Sequence, residues 1–378
     1  VSLRIAVPKE TAPGETRVGL TPDAIKRLSS EPISIVVESG AGEEAGFLDQ
    51  AYRDVGAEIA PDVSSLFEGA DVVLKVAPPR ELDDGGHEVD ALPDGALLAC
   101  FLRPHESGAL LERLAARNIT ALALELVPRI TRAQSMDALS SQTNLAGYKA
   151  VIIGADALGR IFPLLMTAAG TLSPARVLVL GAGVAGLQAI ATAKRLGAET
   201  WGYDIRAAVR EQVESLGARF VDVEEGAPAD LETEGGYAKQ LSDEEQARRR
   251  ELLASHVAKA DVVITTALVP GKRAPILITE DTVRRMKPGS VIVDLAGESG
   301  GNCELSEPGG VARVHGVRIH APLNVPATLP THASQLLARN LSALLKPMIG
   351  PEGITIDFDD EVVAGCCVTH AGAVRLDG

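Results

Sequence analysis

Three glycines and one aspartate carry the most explicit chemistry in this chain. Arg176-Val-Leu-Val-Leu-Gly181-Ala-Gly183-Val184-Ala185-Gly186 runs an apolar segment into a Gly-x-Gly-x-x-Gly turn, and Asp204 follows 18 residues after Gly186 at the end of Glu199-Thr-Trp-Gly-Tyr. The glycines divide the work between them. Gly181 turns the chain out of a strand, Gly183 lets backbone approach a pyrophosphate, and Gly186 lets the next helix pack close to the sheet. The start of that helix offers free N–H groups and a positive dipole end to phosphates. Asp204 is placed to bond the adenosine ribose diol and to repel a 2′-phosphate. Arg206 either softens that repulsion or is an exposed helix-start residue. Strand, turn, helix and acid together predict a dinucleotide of the NAD type held by Gly181, Gly183, Val184, Ala185, Gly186, Asp204, Ile205 and Arg206. Thr266, Ala267 and Leu268 follow the apolar run Asp261 to Thr265, and ligands of open α/β sheets lie outside such carboxyl ends.

A second concentration of reactive side chains lies in Pro128 to Gln142, which includes Arg129, Gln134, Asp137 and Ser140. Polar loops between two α/β units tend to face the intervening cleft. The plainer alternative is a helix N-terminus with ordinary Asp and Ser caps, leading into a helix over Asn144 to Ala155. A third feature is the acidic, small-residue stretch Glu224 to Asp243 around Gly235-Gly236-Tyr237-Ala238. A loop of about twenty residues without periodicity reads as a lid, with Tyr237 to place over a ligand. A solvated insertion with Tyr237 packed locally is the equal alternative.

The elements that must hold these groups alternate as β-α-β. Leu3 to Val7, Ile33 to Val37, Asp71 to Val76, Ala96 to Leu102 and Ile119 to Glu125 read as strands separated by helical segments, a doubly wound sheet without a glycine fingerprint. A second such sheet begins near Ala175 and runs to the strand Val317 to His320. Helix Ala333 to Leu345 follows, and Ile354 to Phe358, a turn at Asp359-Asp360 and Glu361 to Val368 read as a closing hairpin. This tail has no βαβ partner in the second sheet, so it is expected to return to the first. The fold class is therefore α/β, with two Rossmann-like doubly wound parallel-sheet domains, one inserted into the other. Residues 1–140 with 321–378 form the discontinuous domain, and 141–320 form the NAD-binding insertion.

Bulk composition sets the outer limits. At 378 residues the chain has room for two cores, since single cores rarely grow past ~250–300 residues. Only 3% of it is aromatic, so Ala, Val, Leu and Ile do the burying, as in parallel sheets covered by helices. A net charge of −15 argues against nucleic acid or an anionic membrane as the main partner. Four cysteines (Cys100, Cys303, Cys366 and Cys367) make no disulfide framework and no zinc spacing, so reduced thiols and no metal are expected. The longest uncharged apolar run, Val177 to Ala193, falls short of the ~20 residues of a span. The start, Val-Ser-Leu-Arg-Ile-Ala-Val-Pro, lacks a signal peptide's pattern, and a cytoplasmic setting is expected.

Glu10 to Pro22, Arg129 to Ser140, the fingerprint, Ile264 to Pro275 and Ser290 to Cys303 together resemble the family that joins alanine dehydrogenase to proton-translocating nicotinamide nucleotide transhydrogenase. The resemblance covers nearly the whole chain. Its most specific stretch, Pro128 to Tyr148, looks like the NAD(H)-binding domain I of the transhydrogenase branch. That resemblance implies hydride transfer between NAD(H) here and NADP(H) on a separate domain III, coupled to proton movement through a membrane-spanning domain II. It further implies a homodimer lying peripherally on the inner face of the cell membrane through those partners. Arg129, Gln134, Asp137 and Ser140 match the family's nicotinamide loop, and Tyr237 matches the aromatic of its lid. In the alanine dehydrogenase branch a histidine sits on the strand that here reads Leu98-Ala-Cys-Phe101-Leu-Arg103, where this chain has none. Arg17 and Lys75 match substrate-carboxylate residues of that branch and keep an NAD-dependent amino-acid dehydrogenase as the alternative. Their plainer readings are a surface ion pair for Arg17 and a snorkelling strand-end lysine for Lys75.

Overall fold

Strands that are apolar on both faces need helices on both faces, and this requirement is met twice in the chain. The computed structural model describes residues 3–28, 33–206, 208–222, 243–269, 272–351 and 353–376. Two units are distinguished, Val1–Gln142 with Pro326–Gly378, and Thr143–Val325. The predicted lid residue Tyr237 lies outside the described residues.

The first unit opens with β1 (Leu3–Val7), α1 (Pro22–Leu28), β2 (Ile33–Glu38), α2 (Asp49–Arg53), β3 (Glu58–Ala60), α3 (Val63–Phe67), β4 (Val72–Leu74), α4 (Glu88–Ala91), β5 (Leu97–Cys100), α5 (Gly108–Ala116) and β6 (Thr120–Ala123). Alternate strand residues feed two cores. Ile5, Val7, Leu74, Ala99 and Leu122 pack with Ala24, Ile25 and Leu28 of α1. Ala6, Val36, Val73, Leu98 and Ala121 pack with Leu66 of α3, Val89 of α4 and Leu111 and Leu114 of α5. A period-2 pattern with both phases apolar is what a parallel sheet buried on two sides demands.

Helix α6 (Ala138–Ala157) leads into the second unit, which contains β7 (Leu165–Thr167), β8 (Gly170–Leu172), β9 (Arg176–Leu180), α7 (Val184–Arg195), β10 (Glu199–Tyr203), α8 (Val209–Ser215), β11 (Arg219–Phe220), α9 (Asp243–Val257), β12 (Val262–Thr265), α10 (Glu280–Arg284), β13 (Val291–Asp294), β14 (Val311–Val314) and β15 (Val317–His320). The sheet order is β11-β10-β9-β12-β13-β15-β14, parallel except for β14, which runs antiparallel to β15. Val177, Val179, Val262, Ile264, Val291 and Val293 face α6, α7 and α8. Leu178, Leu180, Val263, Ile292 and Ile319 face α9 and α10. The single tryptophan, Trp201, sits in β10, with the guanidinium carbons of Arg176 and Arg219 each 5.6 Å from its ring centroid. Among the elements without a counterpart in the sequence pattern are β3, α10, edge strand β14, and the hairpin β7–β8, whose Leu165, Met166 and Leu172 are exposed.

The chain then returns to the first unit through α11 (Pro330–Leu345), β16 (Ile349–Gly350), β17 (Gly353–Ile354), α12 (Glu361–Cys366), β18 (Cys367–His370) and β19 (Ala373–Val374). Strand β18 pairs antiparallel with β6, giving the order β19-β18-β6-β5-β4-β1-β2-β3. The expected hairpin of Ile354 to Phe358 with Glu361 to Val368 is not formed. Asp360 instead accepts a hydrogen bond from Val362 N–H at 2.7 Å, and this cap starts a helix at Glu361. The closing hairpin is β18 with β19.

Candidate dinucleotide-binding site

In the second unit the chain leaves β9, proceeds outward through β10 and β11, and comes back on the other side as β12. Such a reversal opens a crevice at the strands' carboxyl ends. Gly181 turns the chain there with φ +97°, and a Cβ on it would stand 2.7 Å from Thr266 Oγ1 and 3.1 Å from Ala267 N. Thr266 Oγ1 donates to the Gly181 carbonyl at 2.8 Å, which ties the ends of β9 and β12 together. On Gly186 a Cβ would lie 1.9 Å from the Gly181 carbonyl oxygen, so α7 rests directly on the turn. Gly183 is open: the nearest atom to its Cβ position is a terminal nitrogen of Arg206 at 4.0 Å. Gly183 is also the N-cap of α7 and supplies no side-chain cap, which suits a phosphate as the group that meets the helix end.

Asp204 closes the turn from behind. Its Oδ2 accepts from Ala182 N–H at 2.8 Å, and its Oδ1 accepts from Arg206 N–H at 2.9 Å. The Arg206 guanidinium forks onto both oxygens at 2.9 and 2.8 Å. Arg206 is thus no exposed helix-start residue: its side chain is 13% exposed and serves as the ion-pair partner of Asp204. A bidentate pair of this kind fixes the carboxylate's orientation and offsets part of its charge. Val184 and Ile205 are half-buried and Ala185 is buried. Thr266 and Ala267 are half-buried, and Leu268 is exposed. The structure brings the turn, Asp204 with Arg206, and Thr266 with Ala267 into one constellation. Sequence reasoning passed over Asn302, whose side chain holds both backbone groups of Ala267. The available signal was its place in the loop after β13, at the same carboxyl edge.

The polar loop of the first unit is built differently. Residues Thr131–Met136 form a 3-10 turn, and α6 begins at Ala138, earlier than its periodicity suggests. Asp137 accepts from Ser140 N–H at 2.8 Å and from Ser140 Oγ at 2.6 Å, the contacts of a helix cap. Ala133, Met136 and Ala138 are buried in the core that includes Leu337 and Leu341 of α11. Arg132 forks onto Asp360, and Asn340 Nδ2 donates to Ser135 C=O at 2.9 Å. The loop is anchored from beneath, and Arg129 and Gln134 are left exposed on it.

Arg17 and Lys75 depart from their plainer readings. Arg17 is 7% exposed and is held by Glu15, through Nε at 2.7 Å, and by Gln142 Oε1 at 2.9 Å. Its ion pair is therefore buried. Lys75 does not snorkel: its side chain is 3% exposed and its Nζ lies 3.2 Å from Glu10 and 3.3 Å from Glu88. Burial pulls the Lys75 ammonium down, but Glu10 and Glu88 outweigh it and hold the group above the ordinary lysine value. Burial drives the Glu10 carboxyl up, against the opposing pull of Lys75 and the Val76 N–H. Cys100, the last residue of β5, is buried, and burial holds its thiol well above the usual range. All four cysteines are buried and unbridged. Among the described residues no group of three or more His, Cys, Asp or Glu is placed to hold a metal, and no helix is long and apolar enough to cross a membrane.

The fold and the turn define a two-sheet, dinucleotide-type α/β protein, and comparison with known proteins places it further. Residues 6–146 match the family described as Alanine dehydrogenase/PNT, N-terminal domain, and residues 150–377 match Alanine dehydrogenase/PNT, C-terminal domain. The chain belongs to this family. It is 50% identical to the first part of the NAD(P) transhydrogenase subunit alpha of Rhodospirillum rubrum, covering 98% of this chain and 97% of that one. To alanine dehydrogenase of Bacillus subtilis it is 31% identical, over 86% of this chain and 80% of that one. The crystal structure of transhydrogenase from Sinorhizobium meliloti superimposes with a TM-score of 0.86 at 43% identity, covering 98% of this chain and 99% of that one.

Proposed function

We propose that this chain is the NAD(H)-binding component of a proton-translocating transhydrogenase. It passes hydride between its own NAD(H) and NADP(H) on a separate domain III, while a membrane-spanning domain II carries the protons. The observation that carries the reading is the glycine turn, open at Gly183 and backed by an oriented Asp204. The 50% identity to a transhydrogenase alpha subunit supports the reaction assigned to it. When bound, the cofactor supplies the hydride; the protein supplies geometry. Transfer between two nicotinamides needs no general acid or base, only ring carbons held ~3–3.5 Å apart with water excluded.

In this reading Gly181, Gly183 and Gly186 shape the pyrophosphate seat, with the N–H groups of Val184 and Ala185 beside it. Asp204 selects the ribose diol of NAD over NADP, and Ile205, Thr266, Ala267 and Leu268 border the nucleotide. Arg129, Asp137 and Ser140 orient the carboxamide, Gln134 faces the second nucleotide, and Tyr237 belongs to a lid. Asp137 suits the role because its bonds to Ser140 fix the direction of the serine hydroxyl. The assembly is a homodimer bound on the cytoplasmic side through domain II. Against the amino-acid dehydrogenase reading stand the internal pairing of Arg17 and Lys75 and the lack of a histidine on β5. The test is to mix the chain with an NADP(H)-loaded domain III of a related transhydrogenase and follow transfer from NADH to an NADP analogue. NAD reduction by alanine, with the chain alone, would overturn the proposal.

A further inference from the structure

The wall behind the glycine turn is held by a side chain that no motif marks. Asn302 is 0% exposed, and its amide makes three hydrogen bonds. Oδ1 accepts from Ala267 N–H at 3.0 Å, and Nδ2 donates to the carbonyls of Ala267 and Pro275, each at 2.8 Å. The side chain therefore grips both backbone groups of one residue, as a neighbouring strand would. Asn302 is fixed in turn by Asp294, also 0% exposed, whose Oδ2 accepts from Asn302 N–H at 2.8 Å. The same carboxylate accepts from Thr265 Oγ1, Ala296 N–H, Cys303 N–H and Ser306 Oγ at 2.6 to 3.0 Å. Ala267 also stands directly against the turn, its nitrogen 3.1 Å from the Gly181 Cβ position.

We propose that Asn302 is a positioning residue for dinucleotide binding: by clamping Ala267 it fixes the wall of the turn that receives the pyrophosphate. This rests on the dinucleotide reading of that turn. A buried polar network stabilises only when every member is satisfied. Without the Asn302 amide, three backbone groups lose their partner inside the protein, and the 266–267 segment must shift to regain one. Thr266, bonded to Gly181, shifts with it. The effect falls on the phosphate seat, so it follows ligands that carry the pyrophosphate and spares adenosine, which has none.

The experiment uses the full chain with Asn302→Ala and Asn302→Asp, the second isosteric but presenting an oxygen to two carbonyl oxygens. Dissociation constants for NADH, ADP-ribose and adenosine are measured by calorimetry beside thermal melting. NADH and ADP-ribose should weaken about tenfold, the scale of one lost buried hydrogen bond, with adenosine changed less than about twofold. Wild-type NADH affinity in either folded variant overturns the inference while leaving the dinucleotide reading intact. An equal loss for NADH and adenosine, or failure of both variants to fold, marks a merely structural role and overturns it too. A wild-type chain that does not bind NADH brings down the dinucleotide reading and this inference with it.

Discussion

Both sheets reverse direction at the same topological point, between β9 and β12 in one and between β1 and β4 in the other, yet the chain treats the two crevices in opposite ways. After β9 and β12 it places Gly181 and Thr266, small groups that leave the helix end at Gly183 open. After β1 and β4 it places Glu10 and Lys75, an ion pair whose side chains are each 3% exposed. Under the proposed function the first crevice is kept for a ligand, whereas the second is closed by the protein's own charges. A doubly wound sheet thus offers a place for a ligand without obliging the sequence to use it, and function lies in the residues put there.

The largest expected effect comes from breaking the closed crevice. Lys75→Ala leaves Glu10 and Glu88 facing each other without their cation. Breaking one half of a buried pair costs ~3–5 kcal/mol. Denaturant unfolding followed by circular dichroism should show that loss, while NADH affinity of the remaining folded protein stays near wild type. A parallel loss of NADH affinity would mean that the two crevices are not independent. Next comes the open crevice: Gly186→Ala drives a methyl into the Gly181 carbonyl. NADH affinity, read by fluorescence titration, should fall about 100-fold, roughly 2.8 kcal/mol. Unchanged affinity would remove the turn from the binding site.

Asp137→Asn sharpens the contrast between binding and chemistry. Its Oδ1 still accepts from Ser140 N–H, so the helix start survives, but the carboxylate that holds the Ser140 hydroxyl is gone. Hydride transfer in the reconstituted system should slow about tenfold with NADH affinity within about twofold, the pattern of an interaction made in the transition state. Equal rates would refute the orienting role. The smallest effect concerns the tether under that loop. The hydrogen bond from Arg132 holds the Asp360 carboxyl below its usual 3.8. Its contribution is therefore present above pH 3.8 and fades as pH falls through the folded-state value. Asp360→Asn removes that contribution where it is present, so stability should drop modestly at neutral pH, together with a weakened α12 cap, and converge on wild type as pH falls through the folded-state value, flattening this portion of the acid limb of the stability curve.

How much of this was legible in the residues depends on the range of the interactions involved. Val177 to Leu180, Val262 to Ile264 and Val291 to Val293 are continuous apolar runs, and each became a central strand because two covered faces leave no other choice. The glycine turn was legible because each glycine answers a local steric demand. Glu361 to Val368 was not, since a short apolar run fits strand and helix equally until the Asp360 cap decides. Lys75 could not be placed from its neighbours, because one of its partners, Glu10, is distant in sequence and met only through sheet pairing. Asn302 escaped for a similar reason: an asparagine after two glycines reads as loop until the fold sets Ala267 beside it.

The position of Trp201 gives the protein a built-in optical probe. It is the only tryptophan, it lies on the strand that ends next to Asp204, and it is flanked by two guanidinium groups. Its emission therefore reports on the second unit alone, while circular dichroism sees both. Reduced nicotinamide absorbs where indole emits, so quenching of this one fluorophore by energy transfer would follow NADH arrival without any label. The same signal during denaturation would separate the melting of the second unit from that of the unit closed by its own charges.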